Sequence, residues 1–421
     1  MSDGLGVGSH FWHDVSCLSQ PYPHYARTMD ATHRELVLQR WNVIQYDLLP
    51  ELRHEVGTLT PKLVIIIHIL EWVRIEELTP SSWCGVGRPA HERAWLANAF
   101  VAKAVLGITT TAGLIERLTI DRALRRICGF SLFKQLPSEA TFSRAFAEFA
   151  KERLAERVHA ALIKKHLGEQ LIGHLCRDGT AIEARERPAR KTTRVAAGTP
   201  TSPLPLIAAE EGAASPPAAP AAGSGKKRGR PRRGEVRPPA QESPIRRQRQ
   251  QSLAQMLEEI PTACDRGTKC NAQGYKVSWN GYKLHLDTAC CGVPVTALLS
   301  SASMHDSRAA IPLSLMSAAR LTNLYDVMDA AYCSLDLHEH CRSLGHVPLI
   351  DHNPRGGEKE EFEPPDAIRY NERTAAERSN ARLKDEFGGR HIMVRGDLKV
   401  MSHLMFGILA LSADQLMRLL L

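Results

Sequence analysis

Residues 171–184, LIGHLCRDGTAIEA, mark the point where the sequence changes from one periodicity to another. Before them, from about Thr32 to Gln170, apolar residues recur every three or four positions, which predicts helices. From residue 171 onward, apolar residues alternate with polar ones or form short runs, which predicts strands. The quoted stretch is therefore expected to be the first strand of a sheet, and it carries Asp178 in otherwise apolar surroundings.

Four further segments have strand periodicity, and helical segments separate the last three of the five. These strands are GYKLHLDTA (281–289), VPVTALLSSAS (293–303), YDVMDAAY (325–332) and HVPLIDHN (346–353). A helical segment, YNERTAAERSNARLKDEF (370–387), and an apolar closing helix follow. The order β-β-β-α-β-α-β-α predicts a mixed α/β layer with an initial meander and later helical crossovers.

The excess positive charge of the chain lies in one stretch. The 421 residues hold 54 Lys and Arg against 46 Asp and Glu, a net charge of +8, and 43% of them are hydrophobic. Residues 226–249 alone hold ten Lys and Arg and two Asp and Glu, which accounts for the whole excess. The surrounding residues 195–261 are rich in Pro, Ala, Gly and Arg and contain no aromatic residue, which predicts a disordered insert between the first two strands.

Length and composition exclude several classes of protein. A chain of 421 residues with 43% hydrophobic residues suggests two or three domains rather than a chain disordered throughout. Ten cysteines without a C-x-x-C pair predict reduced thiols rather than a disulfide scaffold. The most apolar run, residues 63–73, is about half the length that spans a bilayer, and the N-terminal segment lacks the features of a secretory signal. We therefore expect a cytosolic protein without a membrane partner.

Three acidic residues lie where neighbouring elements would present them to a common edge. Asp178 lies in the first strand, Asp329 ends the fourth, and Glu377 lies in the helical segment 370–387. Charged groups this close to apolar runs need partners. Each one alone could belong to a buried ion pair or a solvated strand end, but the three together favour a shared metal site.

The segment around Glu377 carries a second signal. Tyr370, Arg373, Glu377 and Lys384 are spaced three, four and seven positions apart, so on a helix they fall within roughly 60° of one another. One acid between an aromatic hydroxyl and two cations suits a surface that holds a metal and binds a phosphate backbone. The alternative is an ordinary solvated helix with ion pairs such as Arg373–Glu377.

The string Tyr370-x2-Arg373-x3-Glu377-x6-Lys384 resembles the Y-R-E-K signature of bacterial insertion-sequence transposases of the DDE class, which have an RNase H-like catalytic core. Further similar stretches are DGTAIEA (178–184), RGTKCNAQGYKVSWNGYKLHLD (266–287), SASMHDSRAAIP (301–312) and DAAYCS (329–334). The helical residues 87–118 and 138–149 are similar to the N-terminal domain that accompanies this core. The resemblance covers roughly residues 85–190 and 262–415.

The resemblance implies a division of roles among these residues. Asp178, Asp329 and Glu377 would be the catalytic, metal-binding triad, and Tyr370, Arg373 and Lys384 would contact the DNA strand that is cut or joined. Carboxylate oxygens suit Mg²⁺ or Mn²⁺, and two such ions about 3.5–4 Å apart can activate the attacking oxygen and stabilise the leaving one.

The same resemblance implies a domain organisation. An all-α N-terminal domain, residues 1–168, would bind the DNA ends. The RNase H-like mixed-sheet core would comprise residues 169–194 and 262–421, with the disordered basic insert, residues 195–261, between its two parts.

The basic insert contains a motif that resembles an AT-hook, whose Gly-Arg-Pro core lies in the minor groove of A·T-rich DNA. Its cations are Lys226, Lys227, Arg228, Arg230, Arg232 and Arg233. The alternative is a solvated basic tract that attracts DNA without specificity. In both cases we expect it to tether double-stranded DNA.

Two further features remain open between a functional and a structural role. A long helix is predicted from Ser138, its N-cap, to Gly168. Its first turns carry Thr141, Ser143 and Arg144, which could read a major groove as the second helix of a helix-turn-helix. The apolar stripe of Phe142, Phe146 and Phe149 suits core packing equally. The pair His305-Asp306 could assist the metal site or orient a loop.

The leading hypothesis is a bacterial transposase that cleaves and joins DNA at the terminal inverted repeats of its own element. We expect it to act as a homodimer on DNA, in the cytoplasm and associated with the nucleoid. One alternative is a domesticated, catalytically silent DNA-binding protein derived from such an enzyme, and another is a nuclease that does not transpose.

Overall fold

The computed structural model describes residues 54, 57–79, 92–188, 242–270, 273–354 and 357–420. The AT-hook-like motif at 226–233 and residues 195–241 of the insert lie outside these ranges. The helices that precede the sheet are α1 (Pro61–Val73), α2 (Arg93–Val105), α3 (Thr111–Ile120), α4 (Arg122–Ile127), α5 (Glu139–Lys151) and α6 (Leu154–Leu167). The strands are β1 (Leu171–Glu183), β2 (Asp265–Cys270), β3 (Lys276–Ala289), β4 (Pro294–Ser301), β5 (Thr322–Met328) and β6 (Val347–Ile350). The later helices are α7 (Pro244–Gln248), α8 (Leu253–Glu259), α9 (Ser307–Ala318), α10 (Leu335–Ser343), α11 (Pro364–Tyr370), α12 (Thr374–Asp385) and α13 (Asp397–Leu420).

The sheet has the mixed topology expected from the sequence. β1 pairs antiparallel with β3 and β3 antiparallel with β4, which forms the initial meander. β5 then pairs parallel with β1, and β6 parallel with β5, through the crossover helices α9 and α10. A helical region followed by this sheet is an α/β, RNase H-like arrangement, as predicted.

Helices cover both faces of the sheet and divide the side chains of β1 between them. On one face, Cys176 packs with Ala375 and Ala376 of α12. On the other, Arg177 meets Asp287 of β3, which is hydrogen-bonded to Ser317 of α9. Because successive side chains of a strand point to opposite faces, the neighbouring residues of β1 serve two different environments.

The helical region and the closing helix α13 share one apolar core. The ring of Phe100 on α2 contacts Phe142 and Phe146 of α5 and Phe406 of α13. Residues Asp397–Leu419 form a helix long and apolar enough to cross a membrane, but 83% of its most apolar window is buried in the protein. This burial is typical of a core helix.

Three expectations about local structure are wrong. The helix predicted to run from Ser138 to Gly168 is two helices, because Arg153 adopts a left-handed conformation with φ 51° between them. The disorder predicted for residues 195–261 does not extend over its last part, which folds into α7 and α8; Met256 of α8 is buried. The segment 370–387 is not one helix.

In place of that single helix, Tyr370 ends α11, a 3₁₀ turn spans Asn371–Arg373, and α12 begins at Thr374. The backbone stays in the right-handed helical region throughout, since φ and ψ are −61° and −28° at Tyr370 and −52° and −30° at Arg373. The four residues of the motif therefore follow an approximately helical path across three segments. Strand β2 was not predicted, because DRGTKC has no apolar alternation.

Candidate active site

The first two predicted acids lie side by side at one edge of the sheet. Parallel pairing of β1 with β5 runs up to Arg177 opposite Met328. Asp178 follows Arg177 within β1, and Asp329 follows Met328, the last residue of β5; neighbouring strands are about 4.8 Å apart. The two carboxylates therefore share one place on the sheet although they are far apart in sequence.

Crowding at this edge disfavours the charged forms of both carboxylates. Burial, followed by the charge of Asp329, raises the pKa of Asp178 to about 6. Burial, followed by the neighbouring charge of Asp306, raises the pKa of Asp329, although its side chain accepts a hydrogen bond from the Ala331 backbone N–H at 3.0 Å. Acids whose pKa is raised by burial and by like charge are typical of functional sites.

Asn380 of α12 contacts the first acid directly. Its Nδ2 donates a hydrogen bond to Asp178 Oδ2 at 2.9 Å. Its Oδ1 is buried and has no hydrogen-bond partner among the described residues. A second oxygen with unused acceptor capacity thus lies next to the carboxylate, and this contact was not predicted from the sequence.

The third predicted acid is held by a cation of its own motif. Arg373 Nη2 donates to Glu377 Oε1 at 2.6 Å, and the Glu377 side chain is 51% exposed. Burial lowers the pKa of Arg373, but Glu377, Tyr370, Asp178 and Asp329 outweigh it, and the net pKa is raised. One guanidinium is therefore within electrostatic range of all three acids.

The other two residues of the motif flank this group. Lys384 Nζ donates to Thr180 Oγ1 at 2.6 Å, and Thr180 lies two residues after Asp178 on β1. The Tyr370 ring lies 4.8 Å from that of Phe362, and burial raises the pKa of Tyr370 to about 12. The structure thus brings all four residues of the predicted motif to the edge that carries Asp178.

A fourth carboxylate stands close to this edge. Asp306, at the start of α9, accepts a hydrogen bond from Lys283 Nζ at 2.8 Å. A Cβ atom at Gly179 would meet Asp306 Oδ1 and His285 Nδ1 at 3.2 Å each, so the residue after Asp178 is glycine where space is tight. Of the pair singled out in the sequence, Asp306 belongs to the surroundings of the acids, whereas His305 Nδ1 contacts the Ser307 hydroxyl at 2.7 Å.

The donor atoms at this edge suit a hard divalent cation, although they are not assembled into a complete set. Within the described residues, no three His, Cys, Asp or Glu side chains form a cluster able to hold a metal ion. Asp178, Asp329 and the unpartnered Asn380 Oδ1 are oxygen donors of the kind that Mg²⁺ and Mn²⁺ prefer. Glu377 would have to leave Arg373 to join them.

Helix α5 buries its aromatic residues and exposes the polar residues beside them. Phe142, Phe146 and Phe149 are buried in the core, while Ser143 and Arg144 are exposed. The helix therefore packs by one face and presents polar residues on the other. Whether that polar face reads DNA stays a prediction, as do the roles of the cations at 226–233, which lie outside the described residues.

Comparisons with known proteins give two family matches. A model described as a transposase domain (DUF772) matches residues 46–148. A model described as a transposase DDE domain matches residues 240–413, which include Asp329 and Glu377, whereas Asp178 precedes its first residue. No curated protein and no solved structure matches the chain significantly.

Proposed function

The chain belongs to the DDE class of insertion-sequence transposases, which carry out phosphoryl transfer on DNA, and we propose that it cleaves and joins DNA at the terminal inverted repeats of its own element. The observation that carries this proposal is the position of Asp178 and Asp329 directly after the last parallel pair of β1 and β5, Arg177 opposite Met328, with Arg373 and Lys384 beside them. Asp178, Asp329 and Glu377 are the proposed catalytic residues.

The proposed metal ligands are the same three carboxylates. Two bound Mg²⁺ or Mn²⁺ ions would activate the attacking oxygen and stabilise the leaving oxygen of an in-line displacement at phosphorus. The chain's own contribution is to hold Asp178 and Asp329 together despite their mutual repulsion, which a cation would relieve. Asn380 fixes the Asp178 carboxylate by its hydrogen bond.

The cations of the site are proposed to bind the DNA strand. Arg373 carries a planar guanidinium that pairs with phosphate as readily as with the Glu377 carboxylate. Lys384 reaches the same edge from α12 and is only half-buried. Tyr370, whose ring packs on that of Phe362 and lies about 6.0 Å from the Arg373 guanidinium, is proposed to contact the same DNA strand.

A cleavage assay tests the proposal. A labelled duplex that carries the element ends is incubated with wild type, Asp178→Asn, Asp329→Asn or Glu377→Gln in Mg²⁺, Mn²⁺ or EDTA. We expect metal-dependent cuts at the element boundary that fall about 1,000-fold or more in each variant, because each removes transition-state stabilisation at the reacting phosphate. Binding of the duplex should remain.

Glu386→Gln provides the matched control. Arg382 pairs with Glu386 four residues later on α12 just as Arg373 pairs with Glu377, and the two glutamates are 48% and 51% exposed. This control should cut at the wild-type rate. Tight binding without cutting by the wild type in either metal would instead indicate a DNA-binding protein that has lost catalysis, and cutting without preference for the element ends would indicate a nuclease.

The proposed assembly is a homodimer that holds two DNA ends, associated with the nucleoid. Synapsis of two element ends requires two sets of end contacts, which a second copy of the chain would provide. The mass of the complex with a single-end duplex, measured in solution, decides between one and two protein copies.

A further inference from the structure

Strands β2 and β3 pair as a hairpin, described at residues 265–270 and 273–281, which projects beyond the rest of the sheet. Residues 281–289 of β3 pair with β1, whereas residues 276–281 pair with β2. Trp279 packs over Gly267, where a Cβ atom would lie 2.4 Å from the ring, and its Nε1 donates to the Tyr282 carbonyl at 3.0 Å. The hairpin is thus held in shape by packing between its own two strands.

The surface of this hairpin is basic. Arg266, Lys269 and Lys276 are exposed, against one acid, Asp265, within the same residues. The hydroxyls of Thr268 and Ser278 lie 3.0 Å apart across the two strands. An open cleft of about 450 Å³ lies on the hairpin, and its polar lining comprises Arg266, Ser278, Asn280 and Glu183.

The hairpin surface continues into the candidate active site through Lys384. Lys384 is bonded to Thr180, two residues from Asp178. Burial lowers the pKa of Lys384, and the nearby charges of Lys269 and Arg390 lower it further, against the opposite effect of Asp178 and Glu183. Cations from the hairpin, from α12 and from the segment after it therefore form one continuous region that begins beside the acids at Lys384 and leads away from them.

We propose that the hairpin surface, with Lys384 and Arg390, binds the sugar–phosphate backbone of the DNA next to the cut strand. The proposal rests on the proposed function and adds to it the path that the DNA takes away from the acids. Asp178 lies opposite Leu286, ten residues from Lys276, which is about 33 Å of strand. At about 3.4 Å per nucleotide step, the path extends roughly ten nucleotides from the cut.

The chemistry of the surface favours DNA over a protein partner. Among the described residues, β2 pairs only with β3, so its other edge is an edge of the sheet. Charged side chains such as Arg266 and Lys269 disfavour pairing with a strand of another chain. Cations and hydroxyls without a stacking aromatic row contact phosphates rather than bases, so the binding should not depend on sequence.

Salt-dependent binding tests the proposal. The full chain is titrated in EDTA, which prevents cutting, with a 40-base-pair duplex of random sequence and with one that carries an element end. Arg266→Gln, Lys269→Gln and Lys276→Gln together should make the negative slope of log K against log salt shallower by about 2 to 3 on both duplexes, because each lost phosphate contact removes about 0.9 from its magnitude.

A control variant that also loses three positive charges, but elsewhere on the protein, distinguishes an effect of this surface from an effect of net charge. Arg342→Gln, Lys399→Gln and Arg418→Gln remove three exposed cations from α10 and α13 and should leave the slope unchanged. A wild-type slope in the hairpin variant, or an equal fall in both variants, overturns the proposal, and it does so whether or not the wild type cuts DNA in the presence of metal.

A cross-linking experiment gives a second readout. Tyr275, which is 70% exposed near the end of the hairpin, is replaced by a photoreactive phenylalanine, and the cross-linked nucleotide is mapped. A cross-link about ten nucleotides from the element boundary supports the path. Cross-links scattered along the duplex, or cross-links to a second protein chain in its place, overturn it.

Discussion

Two neighbouring residues of β1, Arg177 and Asp178, experience opposite electrostatic environments. Arg177 is 1% exposed and forms two hydrogen bonds of 2.7 Å with Asp287, whose second oxygen also accepts a bond from Ser317 at 2.7 Å. Asp178 faces the other side of the sheet, beside the like charge of Asp329, and burial with that charge raises its pKa to about 6. One charge is fully compensated, and the other is not.

The difference separates structural from functional use of charge on a single strand. The Arg177–Asp287 pair joins β1 to β3 under α9 and holds the strand in place. On the opposite face, carboxylates kept together against their repulsion retain affinity for an incoming cation. Local violations of the usual pairing rules are expected where a site must bind something else.

The largest expected change in stability follows from replacing Arg177, whose charge is compensated by Asp287. Arg177→Met should lower the free energy of unfolding by about 3–5 kcal/mol, because it leaves the Asp287 carboxylate buried without its counter-ion. Urea denaturation followed by circular dichroism measures the change. The loss should occur with and without divalent metal.

The double variant Arg177→Met, Asp287→Leu sharpens this prediction. Replacing both partners by apolar residues of similar size should restore most of the lost stability, since the uncompensated charge is then removed. A single variant as stable as the wild type would show that the pair does not hold the strand, and the contrast with Asp178 would fail.

The second prediction concerns Asp178 on the other face of β1, where removing the charge should raise the free energy of unfolding instead of lowering it. The pKa of Asp178 is raised to about 6 from an ordinary value of 3.8, so the folded protein binds its proton more tightly than the unfolded chain does. This contribution to stability is complete below about pH 4 and is lost as the pH rises through 6. In EDTA at pH 7.5, Asp178→Asn should therefore be more stable than the wild type by about 2–3 kcal/mol, and equally stable at pH 4.

At each pH, the measured quantity is the difference in unfolding free energy between the wild type and Asp178→Asn. Burial lowers the pKa of His285 to about 4, and such histidines titrate in the same range in both proteins. Subtracting the variant's unfolding curve at each pH isolates Asp178. A constant difference between pH 4 and 7.5 would show that Asp178 is not destabilised by its surroundings.

The sequence predicted most of the strands and helices but few of the contacts between them. The apolar pattern predicted β1, which carries Asp178, and β5, which ends just before Asp329; the intervening helical segments predicted crossovers among the later strands, but not that β5 pairs with β1. Strand β2 gave no signal, because its residues are polar and its position depends on Trp279 packing over Gly267. Nothing local marks the left-handed Arg153, since no Gly or Pro interrupts that helical pattern.

The contacts of the site were the least predictable part. Asn380 and Asp178 are 202 positions apart, and Lys384 and Thr180 are 204 apart. One sequence gives periodicity along the chain but does not say which polar residues of a helix and a strand meet. The helix partner of Asp178 therefore had to come from the structure, whereas the local pair of Arg373 with Glu377, four residues apart, could be named from the sequence.

The smallest expected effect distinguishes Asn380 from its neighbour Ser379. Both are buried on α12; Asn380 donates to Asp178, whereas Ser379 Oγ donates to the Gly292 carbonyl at 3.1 Å. Asn380→Ala and Ser379→Ala should each cost about 1 kcal/mol of stability at pH 7.5, the usual value of one lost hydrogen bond. Only Asn380→Ala should also move the pH at which the Asp178 contribution disappears, and the shift should be upward, because the lost bond stabilised the charged carboxylate.

The pH series described for Asp178→Asn, repeated in each background, measures it. If both alanine variants left this pH unchanged, Asn380 would contribute only packing. The raised pKa of Asp178 would then depend on burial and on the charge of Asp329, and not on its hydrogen bond from α12.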